Sequence, residues 1–269
     1  MKAAKFFKYA AILIFIALII SFLFFRSKHN SPEQYESVTA GITRIEASSL
    51  IFLADALGTF RKNGLDVTLK VYPSGLKSVE GLLQNDNEIA VCADFVFVLK
   101  SFENDHLKFF GTVSRSNNHE VIGRRDRGIR TPSDLKGKRI GLTLSTSGDF
   151  FLETFLSFVG IKISEVTLVN FDPDKIPALL SKGIVDAACT WSPYVEESKN
   201  LLGAGAVSWA AQKGQDYYWL LVTTEQFLKK RPQAAKKYLA ALLDAERFAE
   251  EEPGKAREII SRAMEVNPD

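Results

Sequence analysis

The chain has 269 residues, of which 46% are hydrophobic and 25% are charged, and this composition predicts a globular protein of one large or two ordinary domains. Its formal net charge is +2, but five of its 34 basic residues precede residue 30, where there are no acidic residues, so the remainder carries 29 basic against 32 acidic side chains. This slightly acidic balance excludes a nucleic-acid-binding surface on that part of the chain.

The first predicted element is an apolar stretch, Phe6 to Phe25, interrupted only by a lysine, a tyrosine and a serine. Twenty helical residues span about 30 Å, the thickness of a bilayer core. No small-residue cleavage signal follows, so we expect an uncleaved membrane anchor at residues 1–27 rather than a cleaved signal peptide or, as a third alternative, a buried core helix. The rest would lie on the periplasmic or extracellular face, or be secreted after cleavage, beyond a polar tether at residues 28–35.

Strands and helices alternate three times after the tether. Alternating or continuous apolar runs predict the strands, and apolar residues at helical spacing predict the helices. This order is typical of a mostly parallel sheet covered by helices. The predicted strands are Val38–Thr43, Leu65–Tyr72 and Glu88–Cys92, and the predicted helices are Leu50–Phe60, Leu76–Gln84 and Asp94–Phe102.

The same alternation restarts at His119, which predicts a second α/β half. Its predicted strands are His119–Gly123, Ile140–Leu144, Val166–Asn170 and Ile184–Thr190, and its helices begin near Thr131, Phe150, Asp172 and Trp191. Strand pieces follow near Val207 and at Tyr217–Val222. Three charged helices complete the chain, at Glu225–Lys230, Pro232–Glu251 and Pro253–Val266.

Three hydroxyl side chains, Ser145, Thr146 and Ser147, stand between the predicted strand at Ile140 and the helix that ends before Gly160. A helix N-terminus offers unpaired N–H groups and a partial positive charge, and hydroxyls beside it add donors. This combination predicts a site for a small anion. The alternative is that one hydroxyl is the N-cap of the helix and the others are solvated.

Other predicted strands also end in polar loops, and ligands of open parallel sheets bind at such ends. Arg44 and Ser49 follow the first strand, and an arginine there either lies on the surface or holds an anionic group with two hydrogen bonds. Ser74 and Asp94 open helices, so Asp94 either caps its helix or binds a ligand ammonium. Trp191 either belongs to the core or stacks on a flat or cationic group.

Cysteine and histidine usage excludes several classes of site. Cys92 and Cys189 lie in apolar runs and suit small buried residues rather than a disulfide framework or a metal site. The histidines, His29, His106 and His119, show no ligand spacing. No nucleophile elbow, phosphate loop or GxGxxG motif occurs, so we expect no catalytic residue and no cofactor.

Several stretches resemble the nitrate/sulfonate/taurine-type substrate-binding proteins of ABC transporters, a family that includes binders of a thiamine-pyrimidine precursor. With the segments between them they cover about residues 38 to 222. They are SSLIFLADALGTFRKNGLDVTL (Ser48 to Leu69), PSGLKSVEGLLQNDNEIAVCAD (Pro73 to Asp94), GIRTPSDLKGKRIGLTLSTSGDFFLETFL (Gly128 to Leu156) and KGIVDAACTWSPYVEE (Lys182 to Glu197).

The resemblance implies a two-lobed periplasmic-binding-protein fold (type II), in which two mostly parallel sheets flanked by helices are joined by two crossover strands. The crossovers are expected near Thr112–His119 and Val207–Tyr218. Lobe one would then hold residues 36–115 plus 212–269, and lobe two would hold residues 116–211.

The resemblance also implies a function: a monomeric, non-enzymatic protein whose lobes close on a small anion or zwitterion and present it to a membrane permease. The implied ligand-binding residues are Arg44, Ser49, Ser74, Asp94, Ser145, Thr146, Ser147 and Trp191.

This sequence departs from the family pattern in three ways. It has an apparent spanning helix, it ends at Asp269 where relatives usually continue, and it has no cysteine-rich cluster of the kind found in the relative that makes the thiamine pyrimidine. Two other functions stay open: an anchored ligand sensor on the same lobes, and an enzyme that uses Asp94 as a base. The sensor follows from the expected anchor. The enzyme is the weaker alternative, because the sequence shows no base–nucleophile pair.

Overall fold

Ten strands form two five-stranded sheets in residues 35–265, the part of the chain that the computed structural model describes. The strands are β1 (Glu36–Ile42), β2 (Leu65–Val71), β3 (Ile89–Ala93), β4 (Leu107–Ser116), β5 (His119–Arg124), β6 (Arg139–Leu142), β7 (Thr167–Asn170), β8 (Ala187–Trp191), β9 (Ala206–Ala210) and β10 (Tyr217–Thr224).

Ten α-helices cover these sheets, joined by short 3₁₀ turns. The helices are α1 (Ser49–Ala56), α2 (Thr59–Lys62), α3 (Gly75–Leu83), α4 (Asp94–Glu103), α5 (Ser147–Phe158), α6 (Ile176–Ser181), α7 (Tyr194–Leu202), α8 (Glu225–Lys230), α9 (Pro232–Glu251) and α10 (Pro253–Met264).

The first sheet has the strand order β2-β1-β3-β10-β4. β1 pairs with β3 in parallel, as expected for strands joined through helices. β10 runs antiparallel to both β3 and β4, with irregular pairing after Trp219 and after Leu221. We call this sheet with α1–α4 and α8–α10 the first lobe.

The second sheet has the order β7-β6-β8-β5-β9. β6 is parallel to β7 and β8, whereas β5 is antiparallel to β8 and β9. This sheet with α5–α7 forms the second lobe. The expected α/β fold, with two sheets flanked by helices, is confirmed. Each sheet is mixed, because β5 and β10, the strands that begin just after the chain changes sheet, oppose their neighbours.

The chain passes from the first sheet to the second between β4 and β5, and it returns between β9 and β10. Only two residues separate β4 from β5, and six separate β9 from β10. The two crossing segments therefore lie where the lobes meet, and they form the base of any cleft between them.

The helix predicted over Leu50–Phe60 is two helices, α1 and α2. The break is at Gly58, whose φ of +67° suits glycine. The hydroxyl of Thr59 donates to the carbonyl of Ala54 at 3.1 Å and fixes the angle between the two helices. Tyr238 of α9 then packs against Phe60 with 4.8 Å between ring centroids, so the long charged helix α9 belongs to the first lobe.

The expected anchor and nearly all of the expected tether fall on residues 1–34, outside the described residues. Within residues 35–265, none of the helices combines the length and the apolar character needed to cross a membrane.

Candidate functional site

A cavity lies between the two lobes, at the strand ends of both sheets. It holds about 370 Å³ of atom-free space, part of it open to solvent, but only about 20 Å³ admits the centre of a water-sized sphere, roughly the room that one water molecule needs. The structure therefore shows a nearly closed cleft. Five polar residues line it, Thr43, Ser74, His119, Thr146 and Ser147, together with apolar side chains and the large aromatic residues Trp191, Tyr217 and Trp219.

The wall from the second lobe is the start of α5. The helix begins at Ser147, three residues earlier than predicted, because Thr146 is its N-cap. The hydroxyl of Thr146 accepts from the N–H of Gly148 at 3.3 Å and donates to the carbonyl of Thr143 at 2.6 Å. Ser145 has a left-handed φ of +60°, and its N–H donates to the Asp149 carboxylate at 3.1 Å.

These bonds use most of the donors that an anion could take at α5. The N–H groups of Asp149 and Phe150 both reach the carbonyl of Thr146. The Asp149 carboxylate stands in the first turn and offsets the positive end of the helix. Of the three predicted hydroxyls, Thr146 and Ser147 line the cavity and Ser145 does not.

Gln212 ties the two crossing segments to each other. Its Oε1 accepts from the N–H of Asn118 at 2.7 Å and from the N–H of His119 at 2.9 Å. Its Nε2 donates to the carbonyls of Ser116 at 3.1 Å and Gln215 at 2.6 Å. This set of partners fixes the amide orientation, because the flipped amide would oppose donor to donor and acceptor to acceptor.

His119 is buried between Gln212 and Ser147. Its Nδ1 lies 3.0 Å from Gln212 Oε1, and its Nε2 lies 2.9 Å from Ser147 Oγ. Burial lowers the pKa of the imidazole to about 3, so the ring is neutral near pH 7. Because Gln212 Oε1 only accepts, Nδ1 carries the proton and Nε2 accepts the hydroxyl hydrogen of Ser147.

Ser147 and His119 thus form the base–nucleophile contact that the sequence pattern did not reveal. Burial opposes formation of the imidazolium and outweighs the hydrogen bond to the Gln212 amide oxygen, which favours it. A histidine with such a low pKa is a weak general base at neutral pH. The geometry therefore suits a fixed hydrogen-bond network better than proton transfer.

The wall from the first lobe is the start of α3. Ser74 is its N-cap and accepts from the N–H of Lys77 at 3.3 Å. No acidic residue stands in the first turn. Gly75 lies against β3, where an added Cβ would come within 2.8 Å of the Cα of Cys92. This close approach brings the helix start against the end of β3, and Ser74, Gly75 and Leu76 all line the cavity.

Aromatic rings form the remaining wall. The ring of His119 lies 5.6 Å from that of Trp191 and 5.0 Å from that of Tyr217. Tyr217 in turn lies 6.3 Å from Trp219. The indole N–H of Trp219 donates to Ser48 at 3.1 Å. Such faces suit an apolar, planar or cationic part of a ligand.

Charged side chains are absent among the described residues that line the cavity, but two carboxyl groups lie close behind them. Burial raises the pKa of Asp94, whose carboxylate accepts from the N–H of Phe95 at 2.9 Å. Burial also raises the pKa of Glu46, which accepts from the amide of Asn118. Burial, together with the charges of these two groups, raises the pKa of the Tyr217 phenol.

Arg44 and Ser49 do not line the cavity. Arg44 pairs with Glu265 at 2.9 Å and donates to the carbonyl of Ala263 at 3.3 Å. Ser49 donates to the sulfur of Met264 at 3.5 Å. Thr43 and Ile45, the neighbours of Arg44, line the cavity, whereas Arg44 lies in a bend after β1 and faces α10.

Among the polar and aromatic residues that line the cavity, three were not selected from the sequence: His119, Tyr217 and Trp219. His119 and Tyr217 are the first residues of antiparallel strands. His119 pairs with Trp191 at the end of β8, and Trp219 pairs with Ala93 at the end of β3. Because ligands were expected at the carboxyl ends of parallel strands, residues at the start of antiparallel strands were not predicted.

The chain resembles several characterised proteins. The taurine-binding periplasmic protein of Escherichia coli (strain K12) is 27% identical to it over 199 residues, which are 72% of this chain and 61% of that protein. The alkanesulfonate-binding protein SsuA from Xanthomonas axonopodis pv. citri, solved bound to MOPS, superposes with a TM-score of 0.72 at 18% identity, over 86% of this chain and 80% of that one. The desulfurization enzyme DSZB superposes with a TM-score of 0.61 at 15% identity, over 87% and 82%.

At such low identity, the two superpositions show a shared fold, and the function has to be inferred from the residues of the site. The family described as NMT1/THI5 like matches residues 47–256, which include both walls of the cleft. This chain therefore belongs to the NMT1/THI5-like family and has the fold of the periplasmic binding proteins.

Proposed function

We propose that this protein is the ligand-binding component of an ABC importer and that its lobes close on a small anion or zwitterion of the sulfonate, taurine or nitrate type. The observation that carries the proposal is the almost closed cavity between the lobes, which is lined from both sheets. A ligand that touches both walls binds the closed form better than the open one and shifts the population toward it.

The anionic group of the ligand belongs at the start of α3. The first N–H groups of a helix have no partner within the helix, and the dipole favours negative charge there. Gly75 and Leu76 line the cavity, and no acidic side chain in the first turn competes for these donors. α5 is less suitable, because the N–H of Gly148 already donates to Thr146 and the Asp149 carboxylate lies in its first turn.

Among the residues predicted from the sequence, Ser74, Thr146, Ser147 and Trp191 are the proposed ligand contacts. They line the cavity from both lobes. Trp191 and Trp219 would cover the apolar part of an alkylsulfonate. Burying such a chain between two indoles adds affinity that a bare anion lacks.

The proposed setting is the extracytoplasmic face of the cell, where the closed form would dock on a permease. The Escherichia coli relative, which is periplasmic and binds taurine, supports this setting. The anchor expected from the sequence would keep the lobes at the membrane.

A second candidate ligand is a planar heteroaromatic compound such as a thiamine-type aminopyrimidine. The aromatic wall of His119, Trp191, Tyr217 and Trp219 favours it, since a flat ring stacks on such faces. This candidate uses the same cleft and the same closure.

Tryptophan fluorescence tests the proposal, because two of the three tryptophans line the cavity. The purified protein is titrated with taurine, propane-1-sulfonate, nitrate and an aminopyrimidine. Saturable binding of a sulfonate or nitrate supports the first candidate, and binding of the aminopyrimidine alone supports the second. A folded protein that binds none of the four contradicts both.

A matched pair of variants locates the site. Ser74→Ala removes the cap of α3 and is expected to weaken binding about 10-fold, equivalent to about 1.4 kcal/mol. Ser181→Ala, at the end of α6 where the hydroxyl donates to the carbonyl of Ala178, is the control and is expected to leave binding unchanged.

A further inference from the structure

The hydroxyl of Ser147 has a fixed direction of donation. Gln212 Oε1 receives two backbone N–H groups and the Nδ1–H of His119. His119 Nε2 is therefore the acceptor in its 2.9 Å contact with Ser147, and the single hydroxyl hydrogen of Ser147 lies in that contact. The Ser147 oxygen can therefore only accept a hydrogen bond from a ligand.

Ser147 is 6% exposed and lines the cavity, so its oxygen can meet a ligand only inside the cleft. An anionic ligand oxygen beside Ser147 Oγ would form no hydrogen bond, because both atoms are acceptors. A ligand N–H or ammonium would instead donate to Ser147 Oγ. Leaving a buried acceptor without a donor costs about 1–3 kcal/mol, which is enough to discriminate between ligands.

The surroundings of Ser147 have the matching charge. The Asp149 carboxylate lies in the same first turn of α5. The indole of Trp191 lies beside Gly148, where an added Cβ would be 3.3 Å from the ring. Negative charge and aromatic faces together favour a cation at this wall.

We infer that Ser147 selects ligands that carry an N–H donor, so that the cleft prefers an aminoalkylsulfonate zwitterion to an alkylsulfonate of the same size. The anionic group would lie at α3 of the first lobe, and the ammonium at Ser147 of the second. The inference rests on the proposed function and assigns the orientation and substrate class of that same cleft.

The test compares two isosteric ligands on the full chain by calorimetry. Taurine and propane-1-sulfonate have the same length and sulfonate, and differ by an ammonium in place of a methyl group. We expect taurine to bind at least 10-fold more tightly. In Ser147→Ala the ratio of the two dissociation constants should fall toward one, mainly through weaker binding of taurine.

Two further variants make the test specific. Ser147→Cys keeps the size of the side chain but is a weaker acceptor, so it should lower the ratio even if the alanine variant folds poorly. Ser157→Ala, on the exposed side of the same helix, is the control and should leave the ratio unchanged.

Equal affinities of the natural chain for taurine and propane-1-sulfonate would overturn the inference and leave the proposed function standing. A taurine preference that persists in Ser147→Ala and Ser147→Cys would remove Ser147 from the selection. Failure of both ligands to bind a folded protein would instead contradict the sulfonate function, and with it the inference.

Discussion

Replacing His119 by glutamine should remove a large part of the acid sensitivity of this fold. Burial lowers the pKa of His119 from 6.5 to about 3. Between pH 6.5 and pH 3 the unfolded chain therefore binds a proton at His119 that the folded chain does not bind. The free energy of unfolding falls as the pH falls through this range. The stabilisation is complete above pH 6.5 and is lost progressively toward pH 3.

The magnitude follows from the two pKa values. Each pH unit within this window changes the free energy of unfolding by about 1.4 kcal/mol for one proton. Between pH 7.5 and pH 4.5 the His119 contribution is about 2.6 kcal/mol, a large share of the roughly 5–15 kcal/mol by which domains are stable. Opening of the cleft that hydrates the ring before unfolding would reduce this figure.

Urea unfolding of the natural chain and of His119→Gln at four pH values between 4.5 and 7.5 measures the effect. Glu46 and Asp94, whose pKa values are raised by burial, change stability in the opposite direction, but they are common to both proteins and cancel in the difference. We expect the difference in unfolding free energy to change by about 2.6 kcal/mol across the range. Parallel pH profiles would show that His119 is not a buried neutral group and would refute the tautomer argument.

Three other substitutions test packing around the site by chemical denaturation. Gly75→Ala should destabilise the protein by about 1–3 kcal/mol, because its Cβ would lie 2.8 Å from the Cα of Cys92. The control is Gly254→Ala, where a Cβ meets open space, and it should be neutral or stabilising by up to about 1 kcal/mol. Equal effects of the two substitutions on stability would contradict the close packing at Gly75. Tyr238→Phe should cost nothing and could gain up to about 1 kcal/mol, because this buried hydroxyl has no partner among the described residues; a loss above that would reveal an unseen bond. Trp219→Phe should lose about 1–3 kcal/mol, since its indole N–H donates to a buried serine at 3.1 Å, and unchanged stability would argue against that bond.

Much of the fold could be predicted because each element follows from short-range pattern. The alternation of apolar residues located β2 to within one residue, and the charged helices α8 and α9 were predicted at their observed bounds. The break at Gly58 was not predicted, because a glycine inside an apolar helical pattern is compatible with either one helix or two. The antiparallel direction of β5 and β10 is a long-range property that periodicity does not contain.

The site was harder to predict for the same reason. Thr146 and Ser147 were found because a strand end and a helix start are adjacent in sequence. His119, Tyr217 and Trp219 were missed because they reach the cleft only through strands that enter the sheets in the reverse direction. Arg44 was selected by its loop, but the bend after β1 turns it toward α10. The direction of a side chain within a loop depends on the local backbone conformation, which the sequence pattern does not specify.

The Gln212 amide forms hydrogen bonds with both crossing segments, at the place where the two lobes are joined. If one lobe rotates against the other about this place, each group moves along an arc whose length is proportional to its distance from Gln212. Ser147 is linked to Gln212 through His119 and would move little in such a rotation, whereas the rim of the cleft would move most. Under the proposed function, a ligand would therefore contact Ser147 before closure, and the outer contacts would form only at the end of the rotation.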